Sequence, residues 1–129
     1  MTKTPNTILG IGTDIVEIKR IAESIQSHGS SFLNRVYTMK EQALAQKFQE
    51  PSTFYAGRFA AKEAVVKALG TGFRDNITFL DIEIINDDQG KPHVFLSERL
   101  QKQFQSPHIL ITISHSKENA IAFAIWQAA

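Results

Sequence analysis

The stretch GRFAAKEAVVKALGTG, Gly57 to Gly72, decides the reading of the whole chain. Alanine, valine, leucine and phenylalanine dominate it, and a Gly-Thr-Gly exit closes it, so it reads as a helix apolar enough to be buried. Yet it holds Arg58, Lys62, Glu63 and Lys67. At about 100° per residue, Ala56, Phe59, Ala60, Glu63, Lys67 and Gly70 share one face. Phe54, Ala61, Val65 and Leu69 line roughly the opposite face, with Arg58 beside them. Apolar residues on both faces imply burial on two sides, and a buried charge is costly unless it is paired or bound to a metal. Glu63 and Lys67 therefore have two readings. They are an i,i+4 ion pair, worth about 0.2–0.5 kcal/mol on a solvated helix, or a carboxylate and an ammonium on a face of small residues that admits a ligand. The Gly70-Thr71-Gly72 exit lets a ligand approach the backbone closely.

Working outward, Pro51-Ser52-Thr53 starts this helix. Thr38-Met39-Lys40-Glu41 has the form of a capping box and predicts a preceding helix that ends near Gln49. Ser31 to Val36 adds a short helical turn. Further back, ILGIGTDIVEI predicts a strand from about Ile8 to Asp14, then a helix through about Ser27, with Gly29 as its stop. Downstream, Ile77 to Asn86 reads as a strand, Asp87-Asp88-Gln89-Gly90 as a turn and Pro92 to Leu96 as the partner strand. SERLQKQFQ, opened by Ser97, reads as a short helix. His108 to Ser114 and Ala120 to Trp126 read as two more strands around a polar turn. IAFAIW, with Trp126, suits a core or a subunit contact equally. Strands alternating with helices, with hairpins toward the end, give an α+β fold. A chain of 129 residues without repeats or low-complexity segments reads as one domain, residues 1–129.

Bulk composition narrows the function classes. There are 14 Lys+Arg against 13 Asp+Glu, so the net charge is near zero, which is weak support for a nucleic-acid partner, since such binders usually show a concentrated basic stripe. No uncharged apolar run approaches the roughly 20 residues of a membrane helix, and MTKTPNTILGIGTD does not read as a signal peptide. With no cysteine, disulfides and thiolate metal sites are excluded, and the composition suits a cytoplasmic protein.

Two further places carry chemistry-bearing residues. In Gly10-Ile11-Gly12-Thr13-Asp14 an acid ends an apolar strand. Asp14 is there either as the N-cap of the next helix, with Glu17 completing a capping arrangement, or as a carboxylate ligand for a hard metal. In Ser114-His115-Ser116, the imidazole is a structural turn residue, or it serves a phosphate or a proton. His28, His93 and His108 have no informative neighbours.

GIGTDIVEIKRI near the start, FYAGRFAAKEAVVKALGTG, DIEIINDDQGKP and ISHSKENAIAFAI stand in this order over nearly the whole chain. Together they resemble the holo-acyl-carrier-protein synthase family, the small phosphopantetheinyl transferases. The resemblance implies a single α+β domain with an antiparallel sheet packed on a long central helix. It implies Mg²⁺-dependent transfer of the 4′-phosphopantetheine arm of coenzyme A to a serine of apo-acyl carrier protein, in support of fatty acid biosynthesis. Adenosine 3′,5′-bisphosphate is the other product. It makes Asp14 and Glu63 the metal ligands and, with Lys67, the catalytic set. Arg58, Lys62, Lys67, Gly70 and His115 are placed at the coenzyme A site. Lys19 and Arg20 are placed at the acidic carrier, and the assembly is a homotrimer with sites at subunit interfaces. Larger members of the superfamily carry a third acid where this chain has Val16, so water is expected there. The serine proton has three candidate acceptors: a water on the metal, Asp14 and Glu63. A coenzyme A binder without activity and a structural oligomer are the competing classes. Retention of both acids and Lys67 argues against the first.

Overall fold

In the computed structural model, which describes residues 7–74 and 76–128, the central helix α4 spans Pro51–Leu69. Pro51 opens it without needing a backbone donor. Gly70 closes it in the left-handed region at φ 83°, its N–H returning to the carbonyls of Val66 and Lys67. Ala56, Ala60, Ala61, Ala64, Val65 and Val66 have no exposed surface. The double-sided burial inferred from the sequence is thus observed, and the reason is that two layers enclose the helix.

The first layer is an antiparallel sheet of β1 (Ile8–Glu17), β4 (His108–His115) and β5 (Asn119–Gln127), in the order β1-β5-β4. Where β1 and the middle of β5 meet α4, its inner face is made of small residues. Gly12 lies opposite Ala124 and Asp14 opposite Ala122, and Ala120, Ala122 and Ala124 are buried. This lets the helix backbone touch the strand. A Cβ on Gly10 would stand 2.0 Å from the Ala68 carbonyl oxygen, and one on Gly12 would stand 2.1 Å from that of Ala64. The outer face carries Leu9, Ile11, Ile15, Leu110, Ile121 and Phe123, all exposed. Trp126 turns the other way, partly buried and edge-on to Phe104, so the IAFAIW strand divides between core and surface.

The second layer is the hairpin of β2 (Ile82–Asn86) and β3 (Pro92–Leu96), followed by α5 (Glu98–Gln103). Ile82, Ile84 and Leu100 are buried against α4. α1 (Ile18–His28), α2 (Ser30–Val36) and α3 (Met39–Ala45) cover the N-terminal half of α4 with a second apolar cluster that includes Ile21, Phe32, Val36 and Tyr37.

Three boundaries differ from expectation. α3 stops at Ala45, not near Gln49, because the chain tightens to i,i+3 bonds at Lys47 and Phe48. Phe48 then stacks on Phe54 with ring centroids 4.9 Å apart. β2 begins at Ile82 because Thr78 and Asp81 form their own capping box around a short 3₁₀ turn, Phe79–Asp81. β1 runs on to Glu17, so Asp14 lies inside a strand and caps no helix; α1 starts at Ile18, and its N-cap Glu17 makes no side-chain cap bond.

Candidate active site

Residue parity in β1 builds the site. Side chains alternate across a sheet, so Gly10, Gly12, Asp14 and Val16 all face α4. Each two-residue step along the strand rises about 6.6 Å, close to one turn of the helix beside it. Gly10 meets Ala68 and Gly12 meets Ala64; continuing the same march brings Asp14 to the level of Ala60, about one helical turn from Glu63. Both acids line one cavity of about 490 Å³, together with Arg20, Ser24, His28 and Phe59 from α1 and α4. Val16, at the next inward position, packs into the apolar clusters and offers no third acid.

The electrostatics agree with that placement. Burial holds the Glu63 carboxyl above its ordinary range, the Asp14 carboxylate pushes it the same way, and Lys67 opposes both. Lys67 turns its ammonium toward β1, donating to the Thr13 carbonyl oxygen at 2.9 Å and to Asp14 Oδ1 at 3.0 Å. The i,i+4 pairing of Glu63 with Lys67 thus gives way to a bridge between α4 and β1. Two acids driven together at a partly buried place are a donor set for a hard divalent cation, and Mg²⁺ commonly uses only one or two carboxylates. The residues therefore fit the metal.

Arg58 and His115 lie elsewhere. They line a second cavity of about 430 Å³ between α4, the β2–β3 hairpin and the end of β4, with Phe54, Asn86, Gly90 and Pro92. Arg58 is 6% exposed. Its guanidinium stacks over the Phe54 ring at 4.3 Å and donates from Nη2 to Asn86 Oδ1 at 2.6 Å. Burial lowers its pKa to about 10, with Glu41 opposing.

Lys62 departs from its expected place at the coenzyme A site. It is fully buried, and its ammonium donates to Glu41 Oε1 at 2.7 Å and to the carbonyl oxygens of Val36 at 2.6 Å and Phe79 at 3.2 Å. With its donors spent inside the core, it ties α2, α3 and the 3₁₀ turn to α4. Glu41 completes the knot by accepting from the backbone N–H of Thr38 and of Ile84. Gly70 has a backbone reason to be glycine, its positive φ, and open space where a Cβ would be. Lys19 and Arg20 are exposed in the first turn of α1, and Arg20 borders the cavity of the two acids.

Asn86, Glu41 and His28 were not singled out from the sequence. Asn86 was hidden at a strand end beside a turn, and Glu41 was accounted for as a capping residue. His28 had only helix spacing to place it beside Arg20 and Ser24.

A family model described as the 4′-phosphopantetheinyl transferase superfamily matches residues 10–124. The chain belongs to that superfamily. Among superfamily relatives, the holo-[acyl-carrier-protein] synthase of Protochlamydia amoebophila is 54% identical over 120 residues, covering 93% of this chain and 98% of the relative. The crystal structure of the Neisseria meningitidis holo-[acyl-carrier-protein] synthase superposes with a TM-score of 0.87 at 36% identity, covering 95% of this chain and all of that one. The Helicobacter pylori synthase, solved in complex with coenzyme A, gives a TM-score of 0.84 at 34% identity, covering 91% and 99%. The α+β arrangement seen here, with antiparallel sheets around a long helix, is the superfamily's fold.

Proposed function

We propose that this chain transfers the 4′-phosphopantetheine group from coenzyme A to a serine of apo-acyl carrier protein, releasing adenosine 3′,5′-bisphosphate. The observation that carries the reading is the convergence of Asp14 and Glu63 on one cavity with Lys67 beside them. The names of the synthase relatives supply the substrate class.

Asp14 and Glu63 would hold Mg²⁺, which when bound supplies charge neutralisation for the coenzyme A diphosphate. The remaining work is electrostatic and positional, as phosphoryl transfer requires. Lys67, held by Asp14 and the Thr13 carbonyl, places a cation beside the diphosphate and offsets charge that grows on its oxygens. Phe59, Ile21 and Phe32 form the apolar part of a largely polar lining to which α1 contributes Arg20, Ser24 and His28. Lys19 and Arg20 offer positive charge to an acidic carrier, which raises encounter rate and sets specificity more than affinity.

The acids and the Arg58–His115 pair open on different cavities, and the outer face of the β1-β5-β4 sheet is apolar and exposed. Contiguous apolar surface of this kind marks an interaction site. We read it as the contact of a homotrimer in which Arg58 and His115 of one protomer complete the site around Asp14 and Glu63 of the next. No described helix is long and apolar enough to cross a membrane; the setting that goes with this reading is the cytoplasm, with the holo-carrier supplied to fatty acid biosynthesis.

The test is mass spectrometry of an apo-carrier incubated with the protein, coenzyme A and Mg²⁺. A gain of the phosphopantetheine mass that vanishes with chelator supports the reading. An unmodified carrier under those conditions overturns it.

A further inference from the structure

The two acids are guarded unevenly. Glu63 is half-buried, and among the described residues no hydrogen bond or ion pair reaches its carboxylate. Lys67, one turn further along α4, turns its ammonium to β1 instead, donating to Asp14 Oδ1 at 3.0 Å and to the Thr13 carbonyl oxygen at 2.9 Å. A divalent cation held by Asp14 would draw on the same negative charge, and two cations attracted to one carboxylate repel each other. Lys67 therefore competes for Asp14 and leaves Glu63 open.

The ion pair is built to yield. The Lys67 side chain is 50% exposed and that of Asp14 20%, and a pair so open to water holds weakly. The bond to Thr13 differs. Its acceptor is a neutral backbone carbonyl, so it keeps the ammonium at the cavity when Asp14 is given up. An ammonium has three donors, and these two bonds leave one for an incoming anion. A diphosphate suits both cations at once: its oxygens can face a divalent ion and an ammonium together and turn their repulsion into attraction for a shared group. We propose that Lys67, by holding Asp14, opposes metal uptake until a diphosphate takes over its charge, so that metal and coenzyme A load the site cooperatively. The inference rests on the function proposed above. Linkage makes the effect reciprocal: the factor that the nucleotide adds to metal affinity, the metal adds to nucleotide affinity.

The test is electron paramagnetic resonance titration of the full-length protein with Mn²⁺ as the probe, with and without coenzyme A, alongside melting temperature. A protein-free titration subtracts the Mn²⁺ that coenzyme A holds by itself. Wild type should bind Mn²⁺ weakly alone and about 10- to 100-fold more tightly with coenzyme A. Lys67→Met should bind Mn²⁺ about 10-fold more tightly than wild type without nucleotide, and the factor added by coenzyme A should shrink. Lys67→Gln keeps a donor without the charge and should follow Lys67→Met. Lys67→Arg keeps the charge and should follow wild type. Neutral variants that bind Mn²⁺ no tighter than wild type, a Lys67→Arg protein that behaves like Lys67→Met, or a wild type whose Mn²⁺ affinity ignores coenzyme A overturns the inference. If one neutral variant fails to fold, the other decides; loss of the melting transition in both assigns Lys67 to the scaffold and overturns it as well. A wild type that modifies the carrier while its neutral variants bind Mn²⁺ no tighter sinks this inference alone. One that takes up no Mn²⁺ in either state also sinks the metal role of Asp14 and Glu63 beneath it.

Discussion

Glu63 sits under opposing demands. Burial and Asp14 raise its pKa, so its charged form costs the folded state something that a neutral amide does not. Glu63→Gln should therefore cut metal-dependent transfer by at least about 100-fold while leaving the melting temperature at or above wild type. A lost melting transition would assign the residue to the scaffold. Lys62 and Glu41 behave in the opposite way. Breaking a fully buried ion pair from one side strands a charge and costs about 3–5 kcal/mol. Glu41→Gln and Lys62→Met should each show that loss in chemical denaturation, and the double variant should be less destabilised than the sum of the two. Strict additivity would mean that the pair is not coupled.

At the scale of elements, the contact of α4 on β1 is the joint on which the site depends. Gly12→Ala drives a methyl group against the Ala64 carbonyl and the Ala68 N–H. It should destabilise by about 3 kcal/mol, at the upper end of overpacking costs, and lower activity at temperatures where the fold survives. Asp81 ties the 3₁₀ turn to α5 by accepting from Thr78 N–H, Ser97 Oγ and Arg99 Nη2. Burial alone would raise its carboxyl, but these bonds outweigh it and hold the pKa below the ordinary value. A depressed carboxyl stabilises the fold above its unfolded pKa, and that stability is lost as pH falls through the lower, folded value. Asp81→Asn should flatten the acid limb of a stability–pH curve below about pH 4, as read by denaturant midpoints. Much of this scale was legible beforehand. The alternation in GIGTD says which side chains face α4, the apolar residues on both faces of AAKEAVVKAL say that this helix is enclosed on two sides, and the Thr38–Glu41 capping box formed as read. What could not be read was pairing across distance. Lys62 and Glu63 are neighbours in sequence, and nothing local says that one turns to a core carboxylate and the other to a cavity. Asn86 was illegible for the same reason, since its role exists only against Arg58 across the fold.

For the whole molecule, the exposed strip of Ile11, Ile15, Ile121 and Phe123 calls for a partner surface. Ile15→Lys should shift the protein to monomer in light scattering, keep its circular dichroism, and lose transfer activity if neighbouring protomers share sites. Full activity in a monomer would place every needed residue in one chain. The two cavities on different faces of α4 have a genetic consequence. If neighbouring protomers share sites, a variant lacking Glu63 and a variant lacking Arg58 should each be inactive when pure. Unfolded and reassembled together in equal amounts, about a quarter of the junctions in a ring would join an intact acid pair to an intact arginine. Two inactive preparations would then rescue each other in one tube, and the extent of rescue would count the subunits that meet at a catalytic centre.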